Sequence, residues 1–307
     1  MSTALISVVT PSLNAKPYLG RLLQCIEQQT YSAVEHVIVD GLSTDGSQDI
    51  LQQCDSTRHQ VIFKQDRSMY EAVNRGIAAS HGEILAYLNC DDLYWPTTLA
   101  VVADYFQQHP QCDVLVGDVL SVNPEQHSVF LHVYGKKQYR LSRLAFDQSL
   151  GQPSVFFRRR VLEQLGPFDA SLRFVADLDY WMRASQRGLI FHKLNKFLSI
   201  DCQVAGNLRE KFGADLVIEL SRVRQRYFQV TGWKKTLLQK RNYWERIFID
   251  KALEYYAQRH FMSTAAVTFN QRLYRDYRTG KQRGAEPIIS INLPYFQFTA
   301  TKLNGVV

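Results

Sequence analysis

Ile84-Leu85-Ala86-Tyr87-Leu88-Asn89-Cys90-Asp91-Asp92 decides the fold, because an apolar run passes straight into an amide and two adjacent carboxylates. A short apolar run without alternation reads as a strand buried on both faces, as in parallel sheets. Leu93-Tyr94-Trp95-Pro96 follows, and Pro96 suits a first helical position before Leu99, Val102, Ala103 and Phe106. The same strand-then-helix order precedes this stretch. Ile6 to Thr10 leads to Leu19, Leu22, Leu23 and Ile26 at helical spacing. Val34 to Asp40 leads to a helix from Ser47, and Gln60 to Lys64 to a helix from Met69 to Ala79. Val114 to Val122 supplies a further strand.

Buried strands separated by single helices predict an α/β fold, with a mostly parallel sheet covered by helices on both sides. Such sheets bind ligands beyond the carboxyl ends of their strands. There the chain places Thr10-Pro11-Ser12, Asp40-Gly41, Asp66-Arg67 and Asn89 to Asp92. The pattern weakens from Tyr134 to Gln152. Ser154 to Arg158 then reads as an edge strand, Val161 to Leu165 and Asp177 to Ser185 as helices, and Phe191 to Ile200 as the last strand of a domain spanning 1–207. Residues 208–307 read as a mostly helical extension, with Leu216, Leu220, Val223 and Tyr227 on one helical face and Trp244, Ile247, Phe248, Ala252 and Tyr255 on another. Pro287 to Val307 is apolar without a period that assigns an element.

The net charge of +7 is uneven: residues 1–207 hold 18 Lys/Arg and 21 Asp/Glu, whereas residues 208–307 hold 18 and 8. The basic extension therefore suits an anionic membrane surface, an anionic acceptor or simply solvent. Its apolar stripes suit core packing or the face of a homo-oligomer. The five scattered cysteines have neither metal-ligand nor disulfide-framework spacing. With no basic cluster before the first apolar run and no stretch approaching the ~20 apolar residues of a membrane span, the expected location is the cytoplasm, peripheral to the inner face of the membrane. Arg158-Arg159-Arg160 lacks the pattern of a nucleic-acid reader and suits a solvated face, so no nucleic acid is expected.

Asp91 and Asp92 at a strand end repel each other unless a cation or several donors compensate them. A divalent cation shared with a diphosphate does this, and so, partly, does Asp92 acting as a helix cap. Asp40 can accept hydrogen bonds from a base or ribose, and Asp45 suits a turn or cap. Thr10-Pro11-Ser12-Leu13-Asn14 lacks the glycines of a dinucleotide fingerprint, and no ATP-type phosphate loop is present. Arg67 has the reach for a phosphate, Asp66 for a ribose or amide, and Asn74 for tying loops together. Asp177 and Asp179 either open a helix above a packed Trp181 or offer a base for an acceptor hydroxyl.

Together these segments resemble the inverting family 2 glycosyltransferases with the GT-A fold. The resemblance rests on Ser7 to Asn14, Val39 to Ser47, Asp66 to Ile77, Gly82 to Asp92 and Ala176 to Trp181. It implies a nucleotide-sugar donor, UDP-linked for preference, held by Thr10, Pro11, Asp40, Asp66, Arg67, Asn74 and Asn89. It implies Mn2+ or Mg2+ on Asp91, with Asp92 as second ligand, and Asp177 as general base. Gln152, Asp179 and Trp181 would then face the acceptor, a glycan or lipid-linked glycan hydroxyl. Asn89 departs from the commoner aspartate, and Ser199 to Val204 lacks the histidine often found after the last strand. The processive Gln-x-x-Arg-Trp element is absent. The rival readings are a metal-dependent nucleotidyltransferase, which would normally show a Gly-rich N-terminal loop, and a non-catalytic sugar-nucleotide-binding assembly protein.

Overall fold

The computed structural model of the chain describes residues 3–132, 150–203, 213–227, 267–269, 289–300 and 302–306. The first half alternates as its periodicity predicts: β1 (Ile6–Ser12), α1 (Lys16–Glu27), β2 (Val34–Asp40), α2 (Ser47–Gln53), β3 (His59–Phe63), α3 (Met69–Ala79) and β4 (Ile84–Tyr87). β1 pairs in parallel with β2 and β4, and β2 with β3, giving the order β3-β2-β1-β4. Pro17 starts α1, which buries Leu19, Leu22, Leu23, Cys25 and Ile26. Ser68 caps α3 by accepting the Glu71 N–H at 3.3 Å. α3 lies so close to the sheet that a Cβ on Gly76 would collide with Val9.

β5 (Leu93–Tyr94), α4 (Thr98–Gln108), β6 (Val114–Asn123) and β7 (Ser128–His132) follow. After the 3-10 turn Gln152–Ser154 come β8 (Val155–Arg158), α5 (Arg159–Leu165), α6 (Ala176–Gln186) and β9 (Phe191–Cys202). β8 is not an edge strand: it lies antiparallel between β4 and β6. β6 runs parallel to β9, and β5 antiparallel to β9, so beyond β4 the sheet is mixed. One buried cluster joins α1 and α4 to one face of the sheet, and a second joins α3 and α6 to the other.

The basic C-terminal region contributes α7 (Gly213–Tyr227), with Leu220 and Val223 buried on the expected face. β10 (Val267–Phe269), β11 (Ile289–Leu293) and β12 (Phe296–Ala300) form an antiparallel three-stranded sheet. β13 (Lys302–Val306) pairs in parallel with β7 at the end of the main sheet. The apolar stretch without a period thus supplies strands. The helix expected around Trp244 to Tyr255 lies outside the described residues.

The Arg158 to Arg160 run, expected as a solvated face, is instead tied into the fold by its side-chain bonds. Arg158 donates to Phe106 O at 2.7 Å, Arg159 to Gly82 O at 2.7 Å, and Arg160 pairs with Asp113 at 2.7 Å. These arginines satisfy carbonyls and a carboxylate at element ends.

Beneath β1, a buried polar chain runs from Thr10 Oγ1 to His36 Nε2 at 3.0 Å, from His36 Nδ1 to His59 Nδ1 at 2.9 Å, and from His59 Nε2 to Glu27 Oε1 at 3.2 Å. Burial, then the charge of His59, holds the His36 pKa well below its ordinary 6.5. The unfolded chain therefore takes up a proton at His36 that the folded chain refuses. This part of the stability is fully present above pH 6.5 and is lost as pH falls toward the folded pKa. Denaturant unfolding at pH 7.5 and 5.5 should show a loss of up to about 1.4 kcal/mol per pH unit below about pH 6.5. That increment should vanish in His36→Asn; an unchanged pH dependence in the variant rules His36 out as its source.

Candidate active site

The carboxyl ends of β1 and β2 meet through Asp40, whose residue is 0% exposed. Its Oδ2 accepts from Ser12 Oγ at 3.0 Å and Ser43 Oγ at 2.6 Å, and its Oδ1 accepts from Ser43 N–H at 2.8 Å. Three donors thus fix the carboxylate at the strand end. Leu42, next to it, has φ 64, a conformation costly for a bulky side chain and common where a site dictates the backbone. Leu42 and Leu13 leave apolar side chains exposed here. Asp45 serves the turn, accepting Ser47 N–H at 3.0 Å and Lys16 N–H at 3.0 Å.

Cys90 links this end of the site to the acidic pair. Its Sγ donates to Pro11 O at 3.4 Å. Burial first, then the charges of Asp91, Asp40 and Asp92, push the Cys90 thiol up to about 12, against a lowering hydrogen bond with Ser12. Asp40, Asp91 and Asp92 therefore act on one sulfur. Asp91 is half-buried, whereas Asp92 is 3% exposed and accepts from Asn89 Nδ2 at 3.3 Å. Burial first, then Asp91 and Asp201, push the Asp92 carboxyl well above the usual range. Asp92 thus closes the turn from beneath and shows almost no surface to solvent.

Across the site, Asp177 opens α6 half-buried, and its Oδ1 accepts the Leu178 N–H at 2.8 Å. Glu219 of α7 accepts the N–H groups of Arg173, Phe174 and Val175 at 2.8, 2.6 and 2.9 Å, which fixes the loop that delivers it. Burial first, then the charge of Asp177, pushes the Tyr70 hydroxyl well up, and the Tyr70 ring meets that of Tyr87 edge-on at 6.3 Å. Burial first, then Tyr70, Asp177 and, less, Asp92 push the Tyr87 hydroxyl well up. Gln152 joins the same strand end by donating Nε2 to Tyr87 O at 2.5 Å.

Other sequence candidates are occupied elsewhere. Asp66 pairs with Arg75 at 2.7 Å, while Arg67, its side chain 92% exposed, pairs with Glu71 one turn on. Asn74 ties α3 to the loop before α6, donating to Phe168 O at 2.8 Å and accepting from Phe168 N at 2.9 Å. Asp179 is buried, held by Arg183 at 3.0 Å and by the Tyr227 hydroxyl at 2.8 Å. Trp181 is 2% exposed within an aromatic cluster of Phe157, Phe168, Tyr180 and Phe191. Neither of these two reaches an acceptor surface. Residues that the sequence reading missed are Tyr70, Tyr87, Asp201 and Arg21. The tyrosines look like core positions, and the other two lie on elements with no motif around them.

A parallel half-sheet with acids on its carboxyl ends, extended by a mixed half, is the arrangement of the GT-A fold. Solved structures share the fold. A mannosyltransferase of Pyrobaculum calidifontis, PcManGT, in complex with GDP-Man and Mn2+, aligns with a TM-score of 0.60 at 18% identity, over 79% of this chain and 70% of that one. S. aureus TarS 1-349 in complex with UDP-GlcNAc aligns with a TM-score of 0.60 at 15% identity, over 98% of this chain and 100% of that one. Residues 7–166 match Glycosyl transferase family 2, and the chain belongs to that family: it is a glycosyltransferase. A PGL/p-HBAD biosynthesis glycosyltransferase of Mycobacterium bovis is 32% identical over 189 residues, 60% of this chain and 70% of the relative. The putative teichuronic acid biosynthesis glycosyltransferase TuaG of Bacillus subtilis is 26% identical over 205 residues, 64% of this chain and 77% of the relative. Among the described residues no helix is long and apolar enough to cross a membrane.

Proposed function

We propose that the chain transfers a glycosyl residue from a UDP-sugar to a hydroxyl of a glycan or lipid-linked glycan, with inversion and with Mn2+ or Mg2+, in surface polysaccharide or glycoconjugate assembly. One observation carries the reading: Ser12 at the end of β1 donates to Asp40 at the end of β2, and Cys90, next to Asp91, donates to Pro11 O of β1, so that Asp40 and Asp91 flank the same strand end. That arrangement supports Asp40 as the nucleotide contact and Asp91 as the metal ligand, with Asp177 at the start of α6 as the base. The mycobacterial and Bacillus relatives support the product class, and the UDP-GlcNAc complex of TarS supports the donor.

The residues fit a divalent cation. Asp91, Asp92 and Asp201 bring concentrated negative charge to one place, and a cation relieves it. Among the described residues no three His, Cys, Asp or Glu side chains form a metal cage; Asp91 would hold the ion, which would take its remaining oxygen ligands from outside the protein. When bound, the ion offsets charge on the departing diphosphate. Asp40 orients the nucleoside, with Thr10 and Pro11 beside it and Asn89 toward the ribose. Asp177 takes the proton of the acceptor hydroxyl as its oxygen bonds to the anomeric carbon, and the carbon–oxygen bond to the diphosphate breaks on the opposite face. The basic C-terminal region holds the chain at the inner face of the membrane, where a lipid-linked acceptor is presented.

A screen of nucleotide sugars with Mn2+, read by diphosphate release and then by acceptor-dependent product, tests this. Release from a UDP-sugar that accelerates with a glycan acceptor is the expected result. Failure of every UDP-sugar while a GDP- or dTDP-sugar is turned over would overturn the donor assignment.

A further inference from the structure

One stripe of α1 reads the main chain of the segment that carries Asp91. Arg21 and Cys25 lie one turn apart on α1, and Gln29 follows just past the end of the helix. Arg21 donates to Asp91 O at 3.4 Å, and the Cys25 thiol bonds Tyr94 N–H at 3.1 Å and Tyr94 O at 3.4 Å. Gln29 donates to Trp95 O at 2.9 Å and accepts from Leu99 N–H at 3.2 Å. The metal-side segment is thus held at successive points from Asp91 to Leu99.

The C-terminal hairpin completes this grip. Tyr295, at the turn between β11 and β12, donates its hydroxyl to the same Tyr94 O at 2.8 Å and is buried. Phe296 places its ring 6.0 Å from the Arg21 guanidinium carbon, and Tyr18, one helical turn before Arg21, places its ring 5.1 Å from it. Contact with both aromatic rings restricts the orientation of the guanidinium. Among the described residues its buried Nε–H has no acceptor, so the ring contacts carry much of its orientation. Arg21, Asp91, Asp92 and Asp201 all act on the buried Cys202 thiol, which puts this cation at the acidic end of the site.

We propose that Arg21 is a positioning residue for Asp91, and that the β11–β12 hairpin is a working part of the donor site because it holds Arg21 through Phe296 and the Asp91–Tyr94 segment through Tyr295. This rests on the function proposed above, but the clamp itself has a readout independent of turnover. A distant stretch of chain, 201 residues from Tyr94 at the Tyr295 contact, thereby sets how firmly the metal-binding carboxylate is held. Fixing a carboxylate that acts on transition-state charge affects the rate of the bound complex more than ground-state affinity.

The test compares full-length wild type, Arg21→Ala, Arg21→Lys and Phe296→Ala by donor kinetics, thermal unfolding and amide hydrogen exchange. Arg21→Ala should lower kcat by about tenfold to about a hundredfold with little change in donor KM. Phe296→Ala, which leaves Arg21 in place, should lower kcat less, and Arg21→Lys should recover only part of the loss. In both alanine variants, exchange should rise in the peptide covering residues 89–95 and stay unchanged in β1 and β2. Wild-type kcat and wild-type exchange in Arg21→Ala would overturn the clamp. So would a kcat loss matched by a collapse of the thermal midpoint and by exchange raised throughout the chain. A wild-type protein without transferase activity whose 89–95 peptide still loosens in the variants would sink the functional reading while sparing the clamp.

Discussion

Asp177→Asn lowers the rate of sugar transfer by about a thousandfold and leaves UDP affinity within about a factor of two. The side chain opens α6 with one oxygen on the Leu178 N–H. Asparagine keeps that shape and removes the basic oxygen. The loss should therefore fall on kcat rather than on nucleotide binding, and the thermal midpoint should move little because Asp177 is only half-buried. Steady-state kinetics with calorimetric UDP binding reads both quantities. A variant with wild-type turnover would remove Asp177 from the chemistry, and one that binds no UDP would assign it to the donor instead.

The second large effect is at Asp91. Asp91→Asn takes away the half-buried carboxylate of the acidic pair and should cost about a hundredfold to about a thousandfold in kcat, with the Mn2+ dependence flattened. Asp92→Asn is the internal control. Asp92 is 3% exposed and bonded to Asn89, so its replacement should alter the thermal midpoint more than the response to metal. If Asp92→Asn abolishes the metal response while Asp91→Asn keeps it, the assignment of the two carboxylates is reversed.

The parallel half of the fold was legible because its strands are short apolar runs and its helices bury single stripes. Periodicity reports both directly. β8 was read as an edge strand because its partners, β4 and β6, come from distant parts of the chain and pairing leaves no local mark. The same holds for the C-terminal hairpin, whose Tyr295 and Phe296 find their partners in α1 and β5. Within the site, strand-end residues were legible because the fold class says where strand ends converge. Asp179 and Trp181 were not, since α6 is buried nearly all round, from Ala176 through Ala184, and has no single stripe to separate core from cleft. Arg67 offered a charge at a strand end, but a glutamate four residues on pairs with it locally. Tyr70 and Tyr87 are not legible as neighbours of the site because buried tyrosines in an aromatic cluster read simply as core.

The central claim is a convergence of Asp40, Asp91 and Asp177 on one bound donor. A crystal structure with UDP-sugar and Mn2+, with the metal located by its anomalous signal, measures it directly. The account predicts the base beside Asp40, the metal between Asp91 and the diphosphate, and the anomeric carbon open toward Asp177. A nucleotide seated elsewhere, or a packed layer between the sugar and Asp177, would contradict it.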